Sequence, residues 1–184
     1  MVRMACIAAV AQLAILAAPV APPLEAQEAD DHPIEGVWRL NLDKSSFEPG
    51  SGPRGLMRRF GIDDEGYLVS VRITVQGNGI PTFAMARARL DGGDYPVWTD
   101  GAVYGYLSEG AEPGGTASFK AVDDRTLELT QKNAEGEINP LSPNTWEVSS
   151  DGSTLTVTTT GTNADGEAVH NVEVFDRVEI ETGG

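Results

Sequence analysis

Aromatic side chains and arginines concentrate near the middle of the chain, and their chemistry suits a small organic ligand. Tyrosine and tryptophan join a large apolar ring to one polar atom, which can orient an amphipathic molecule in a pocket. An arginine could pair with a carboxylate of the same molecule. Ordinary packing, with arginines extended to solvent, is the alternative. The predicted ligand-binding residues are Tyr95, Trp98, Tyr104, Tyr106, Phe83, Met85, Arg87 and Arg89.

Candidates for metal binding or nucleophilic catalysis are few. The two histidines, His32 and His170, are far apart in sequence, and neither belongs to a zinc-ligand spacing. The G-x-S-x-G motif of serine hydrolases is also missing from the sequence. We therefore predict no metal site and no cofactor, and no catalytic residue can be named.

Strand glutamates leave one route to catalysis. A carboxylate that points into an apolar interior can have a raised pKa and act as a general base. A cofactor-free isomerase, lyase or hydrolase that pairs such a carboxylate with a tyrosine or arginine is therefore an alternative function. The candidate carboxylates are Glu128, Glu147 and Glu173.

The charge balance disfavours some partners. The chain carries 28 acidic and 13 basic residues, a formal net charge of −15. Nucleic-acid binding requires lysines and arginines to neutralise phosphates, so we predict no nucleic-acid partner. An acidic surface of this kind is typical of a soluble protein that is not drawn to anionic membranes.

The first 26 residues have the pattern of a secretory signal. Arg3 precedes an apolar run from Cys6 to Val20, and the small residue Ala26 suits signal peptidase. This run is shorter than the roughly 20 apolar residues of a membrane span. We therefore predict a signal peptide over residues 1–26, a flexible leader over 27–34, and one domain over 35–182. The expected location is periplasmic or secreted, with no membrane span.

Alternation with a period of two dominates the rest of the chain and predicts strands. Turn signals such as Asp-Gly separate the alternating runs, which favours hairpins, and no segment shows a capped helical period. The predicted fold is all-β, an antiparallel up-and-down β-barrel, with a β-sandwich as the alternative. After a first strand that contains Trp38, the predicted strands cover residues 56–62, 67–76, 82–90, 95–98, 103–107, 116–122, 125–132, 144–149, 154–161 and 169–180.

Two segments of this pattern bear on a binding site. In the run over residues 82–90 one face carries Ala84, Ala86 and Ala88, which suits a place where walls approach or where interior space is left. The opposite face carries four of the predicted ligand-binding residues, Phe83, Met85, Arg87 and Arg89. These residues can bind a ligand only if this face lines the cavity. The loop over residues 43–55 is long for a hairpin and could be either a lid or an ordered connection.

The opening Gly36-Val37-Trp38 resembles the G-x-W signature of lipocalins and related calycin barrels. That superfamily often keeps a basic residue near the end of the last strand, packed over the tryptophan, and the resemblance implies this position for Arg177. The chain also resembles a family of small exported bacterial proteins whose function is largely uncharacterised. The resemblance covers five blocks and implies a lipocalin-like barrel, without assigning catalytic residues; Gly93 departs from it, since lysine is common there. The blocks are residues 36–50, 91–97, 151–158, 161–166 and 171–176.

Three functions remain open at this point. The first is an exported protein that holds a small hydrophobic or amphipathic molecule inside the barrel. The second is the cofactor-free enzyme described above. The third is an envelope protein or inhibitor that binds partners through its loops. The sequence does not decide the oligomeric state.

Overall fold

A computed structural model describes residues 32–99, 112–163 and 165–179. The proposed signal peptide lies outside these ranges, as do Tyr104 and Tyr106. The strands are β1 (Gly36–Leu40), β2 (Gly55–Ile62), β3 (Leu68–Val75), β4 (Pro81–Ala88), β5 (Tyr95–Thr99), β6 (Gly115–Ala121), β7 (Thr126–Asn133), β8 (Asn144–Val148), β9 (Thr154–Thr162) and β10 (Ala168–Val178).

The described strands form one closed antiparallel barrel. Each strand pairs with its neighbours in sequence, and β1 closes the circle by pairing with β10. Closure leaves none of the ten described strands with an exposed edge, which is the physical advantage of a barrel over an open sheet. The predicted up-and-down barrel is confirmed, and the sandwich is excluded. No helix in the described part is long and apolar enough to span a membrane.

One end of the barrel is closed by Trp38 and Arg177. The Trp38 side chain is fully buried, and the Arg177 guanidinium carbon lies 4.2 Å from the centre of its ring system. Arg177 also donates to the backbone carbonyls of Pro33, Glu35 and Gly152 at 2.5–2.6 Å. The contact that the G-x-W resemblance implies is therefore present.

Gly36 is needed for this arrangement. Its φ is +122°, and an added Cβ would lie 2.7 Å from Nη1 of Arg177. A side chain at residue 36 would therefore be strained and would also displace the guanidinium.

The chain is ordered from before β1. Ile34 is 1% exposed, and its carbonyl accepts a hydrogen bond of 2.7 Å from Nε1 of Trp38. The end of the segment predicted to be a leader is therefore part of the barrel's packing, because Ile34 covers the buried tryptophan.

The loop between β1 and β2 is tied to β10. Ser46 and Val172 exchange two backbone hydrogen bonds of 2.8 Å, and the backbone N–H of Glu48 donates to the side chain of Asn171. These contacts favour the ordered connection over the lid.

Candidate ligand-binding site

The inside of the barrel changes from apolar to polar along its axis. On β3 the inward residues run from Leu68 through Ser70 to Arg72, paired with Ala88, Ala86 and Ala84 of β4. Toward the Trp38 end the interior is filled by large side chains. The alanines leave space in the polar half, as their small size suggested. The fully buried large side chains are Trp38, Trp146, Phe175, Ile34, Leu68, Leu127, Leu155 and Val148.

That space is a cavity of about 60 Å³, room for about four water molecules. Val97 and Gln131 also line an adjoining pocket of about 380 Å³. The inner cavity therefore suits a compact group, with the adjoining pocket able to take more of a ligand. The described residues lining the inner cavity are Ala84, Met85, Ala86, Val97, Ala117, Phe119, Leu129 and Trp146, with Arg58, Ser70, Arg72, Gln131 and Asn144 as the polar members.

Arg58 is the most deeply buried charged group of this cavity. It is 8% exposed, and its Nη2 donates to Oε2 of Glu173 at 3.2 Å. Burial lowers the pKa of Arg58 to about 10; Glu173 opposes this change and the positive charge of Arg72 adds to it. The guanidinium carbon lies 4.7 Å from the ring centre of Trp146. The site thus joins a charged donor to an aromatic surface.

Trp146 is fixed by two other aromatic rings. Phe60 and Phe119 meet it edge to face, with centroid distances of 5.4 and 5.7 Å. Its Nε1–H is buried but has no hydrogen-bond partner in the described ranges, and the same holds for Nε–H of Arg58. An unpaired buried donor costs about 1–3 kcal/mol. Both residues line the cavity, so an acceptor placed there could relieve that cost.

The structure brings few of the predicted ligand-binding residues to this cavity. Met85 is among the lining residues, but Phe83, Tyr95, Trp98 and Arg87 are not. On β4 the alanines face inward, and Phe83 and Arg87 belong to the alternate face. Met85 borders the cavity from its place between Ala84 and Ala86, and it pairs with Trp98 on β5. Of the two faces of this strand, the one with the small residues lines the interior.

Arg87 and Arg89 form a cluster with Tyr67. Their guanidinium carbons lie 3.7 and 4.3 Å from the centre of the Tyr67 ring. Arg87 also pairs with Asp63 at 2.6 Å and with Glu65 at 2.9 Å, and these bonds raise its pKa. Arg87 and Arg89 are therefore held at the surface by these contacts and do not line the cavity. The described arginines that do line it are Arg58 and Arg72.

The three candidate carboxylates, Glu128, Glu147 and Glu173, differ in whether they point toward the barrel interior. Glu147 is exposed, and Glu128 lies between the inward Leu127 and Leu129. Glu173 is the one directed toward the interior, but it is paired with Arg58 and does not line the cavity. None of the described residues lining the inner cavity is a carboxylate. Among the residues that the structure describes, Glu128, Glu147 and Glu173 therefore do not supply the cavity-facing base that the enzyme alternative requires.

Comparison with known proteins adds little to this geometry. No family model matches the chain, and no curated protein matches its sequence. Among solved structures it is similar to the siderocalin Ex-FABP, whose description states that it functions through dual ligand specificities. The match has 15% sequence identity, covers 82% of this chain and 78% of that chain, and has a TM-score of 0.38. A TM-score this low supports no argument about fold or ligand. The bacterial family resemblance stays a prediction.

Proposed function

We propose that this protein is an exported binding protein that holds a small amphipathic molecule inside its barrel. The observation that carries the proposal is the inner cavity, whose walls are partly apolar and partly polar and include two buried donors that lack partners within the described residues. Filling a cavity with apolar side chains would be the simpler way to stabilise a barrel. The amino-terminal signal pattern supports the export part of the proposal.

The size of the inner cavity restricts the ligand. Pockets for drug-sized molecules measure roughly 300–1,000 Å³, and the inner cavity alone is about 60 Å³. A ligand would therefore place one compact end beside Trp146 and extend past Val97 and Gln131 into the adjoining pocket.

Native mass spectrometry of the protein purified from its source cells tests this proposal. We expect a population with the added mass of one small molecule, which solvent extraction then releases for identification. The Ala84→Leu variant should lose the added mass, because leucine would fill the cavity that Ala84 lines. Ala121→Leu is the matched control, since Ala121 is exposed on β6. Equal adducts on both variants, or no adduct on the wild type, would count against binding inside the barrel.

A further inference from the structure

We infer that the inner cavity receives an uncharged carbonyl group of its ligand, the C=O of a ketone or an ester, beside Arg58 and Trp146. This inference rests on the proposed function, because it names the chemical class of the molecule bound at that same site. It places the carbonyl in the inner cavity and the rest of the ligand past Val97, in the adjoining pocket.

The first argument is the kind of atom that lacks a partner. Among the described residues, the buried side-chain atoms without a hydrogen-bond partner are Nε of Arg58 and Nε1 of Trp146. Each carries one hydrogen and can only donate it. The two residues are 8% and 2% exposed, so bulk solvent does not reach these donors. The group that completes them must offer acceptor lone pairs, and one carbonyl oxygen offers two.

The second argument is that no buried acceptor waits for a donor. In the described ranges, every buried side-chain oxygen has a hydrogen-bond partner. An alcohol would bring its own O–H into the cavity, and this donor would find no unpaired buried side-chain oxygen there. An unpaired buried donor is costly. A ketone or an ester accepts without donating, so it matches the two unpaired donors and adds none.

The third argument is charge. The positive charge of Arg58 is already balanced by Glu173, whose Oε2 accepts from Nη2 at 3.2 Å. A carboxylate on the ligand would lose its hydration beside an ion pair that already contains a carboxylate. Arg72 also lines the cavity and has an interaction of its own, so none of its charge is assigned to the ligand. An uncharged head avoids this desolvation cost, whereas an ammonium head would bring donors where acceptors are needed.

The fourth argument is the size and shape of the site. The guanidinium carbon of Arg58 lies 4.7 Å from the ring centre of Trp146, so both residues border one small region of the cavity. The volume of about 60 Å³ suits a carbonyl with its first attached carbons. A longer chain has to extend into the adjoining pocket of about 380 Å³.

Three six-carbon probes test the inference: hexan-2-one, hexan-2-ol and hexanoate, titrated into the whole protein by isothermal calorimetry at pH 7. The ketone and the alcohol share one carbon skeleton and differ in whether the oxygen carries a hydrogen. We expect hexan-2-one to bind about fivefold more tightly than hexan-2-ol and about tenfold more tightly than hexanoate. Binding of hexan-2-ol or hexanoate as tight as that of hexan-2-one would overturn the carbonyl head and leave the proposed function standing. Binding of none of the three would overturn both.

The carbonyl stretching band of hexan-2-one, labelled with ¹³C at the carbonyl carbon, reports the two hydrogen bonds directly. We expect the band of the bound ketone at or below its frequency in water, because each donor that binds the oxygen weakens the C=O bond. In Trp146→Phe, which keeps an aromatic ring and removes the indole donor, the band should rise and the affinity should fall about fivefold. Trp98→Phe is the matched control, since Trp98 does not line the cavity, and it should change neither. A bound band at the higher frequency that the ketone has in hexane would overturn the inference.

The paired variant Arg58→Met with Glu173→Gln removes the other donor without leaving a buried charge unpaired. It serves as the second variant if Trp146→Phe does not fold. The band of bound hexan-2-one should again rise, and its affinity should again fall about fivefold. A band and an affinity that stay unchanged in the variants that fold would place the carbonyl elsewhere and overturn the inference.

Discussion

The variants Arg58→Met and Glu173→Gln are each expected to lower the free energy of unfolding by about 3 kcal/mol. Each leaves one member of the interior ion pair without its partner, and both side chains are less than one-fifth exposed. Together they should cost far less, within about 1 kcal/mol of the wild type, because the double change removes both desolvated charges. Urea denaturation of the four proteins measures this cycle.

The double-variant cycle would contradict the predicted coupling between Arg58 and Glu173 if the two losses of stability simply added. Additive losses, with the double variant near the sum of the two singles, would show that Arg58 and Glu173 are not coupled. The pair of Lys44 and Asp176 serves as the control, since it has a shorter distance of 2.8 Å but both side chains are about half exposed. Its coupling energy should stay below about 1 kcal/mol.

Replacing Arg177 with methionine is expected to lower the free energy of unfolding by about 3 kcal/mol. The change removes hydrogen bonds to three backbone carbonyls, at Pro33, Glu35 and Gly152, together with the contact over Trp38. These bonds join the segment before β1 to the turn between β8 and β9, so their loss should loosen the closed end of the barrel.

Arg177→Lys should recover part of this loss, because it keeps the positive charge but lacks the planar set of donors that serves three acceptors at once. Arg39→Met is the matched control on β1, where the arginine is exposed, and it should change stability by less than about 0.5 kcal/mol. Thermal and urea unfolding measure all three variants. A loss for Arg177→Met no larger than that of the control would show that Arg177 does not close the barrel.

The strands of this barrel could be predicted from the sequence because each one alternates with a period of two. For β3, the strand predicted over residues 67–76 agrees to within one residue at each end with the observed Leu68–Val75. Closure, in contrast, depends on the pairing of β1 with β10, which are more than 100 residues apart. The sequence could support it only through the Trp38 signature and the number of short strands.

The binding site was harder to predict because hydrophobicity alone does not tell which face of a strand is inside. On β4 the larger apolar side chains, Phe83 and Met85, suggested the inward face. The alanines are inward instead, and together with Phe119 and Trp146 they border the inner cavity. A narrow barrel is filled by large side chains from some strands and small ones from others.

Arg58 was missed as an interior residue, although the sequence held a signal for it. Arg58 stands between Leu56 and Phe60 on one face of β2, and both neighbours are buried. An arginine flanked two residues away on each side by large apolar residues is therefore a candidate for the interior. The unsatisfied indole of Trp146 left no such signal, since a missing partner is visible only in three dimensions.

The most direct test of the binding site is the indole N–H spectrum of the ¹⁵N-tryptophan-labelled protein during a titration with hexan-1-ol, a small amphipathic probe with one acceptor oxygen. The account predicts a saturable downfield shift of the Trp146 resonance as its donor gains an acceptor. It also predicts little change for Trp38, which already donates to Ile34 at 2.7 Å. A Trp146 resonance that stays in place at saturating hexan-1-ol would contradict an amphipathic ligand bound beside Trp146 inside this barrel.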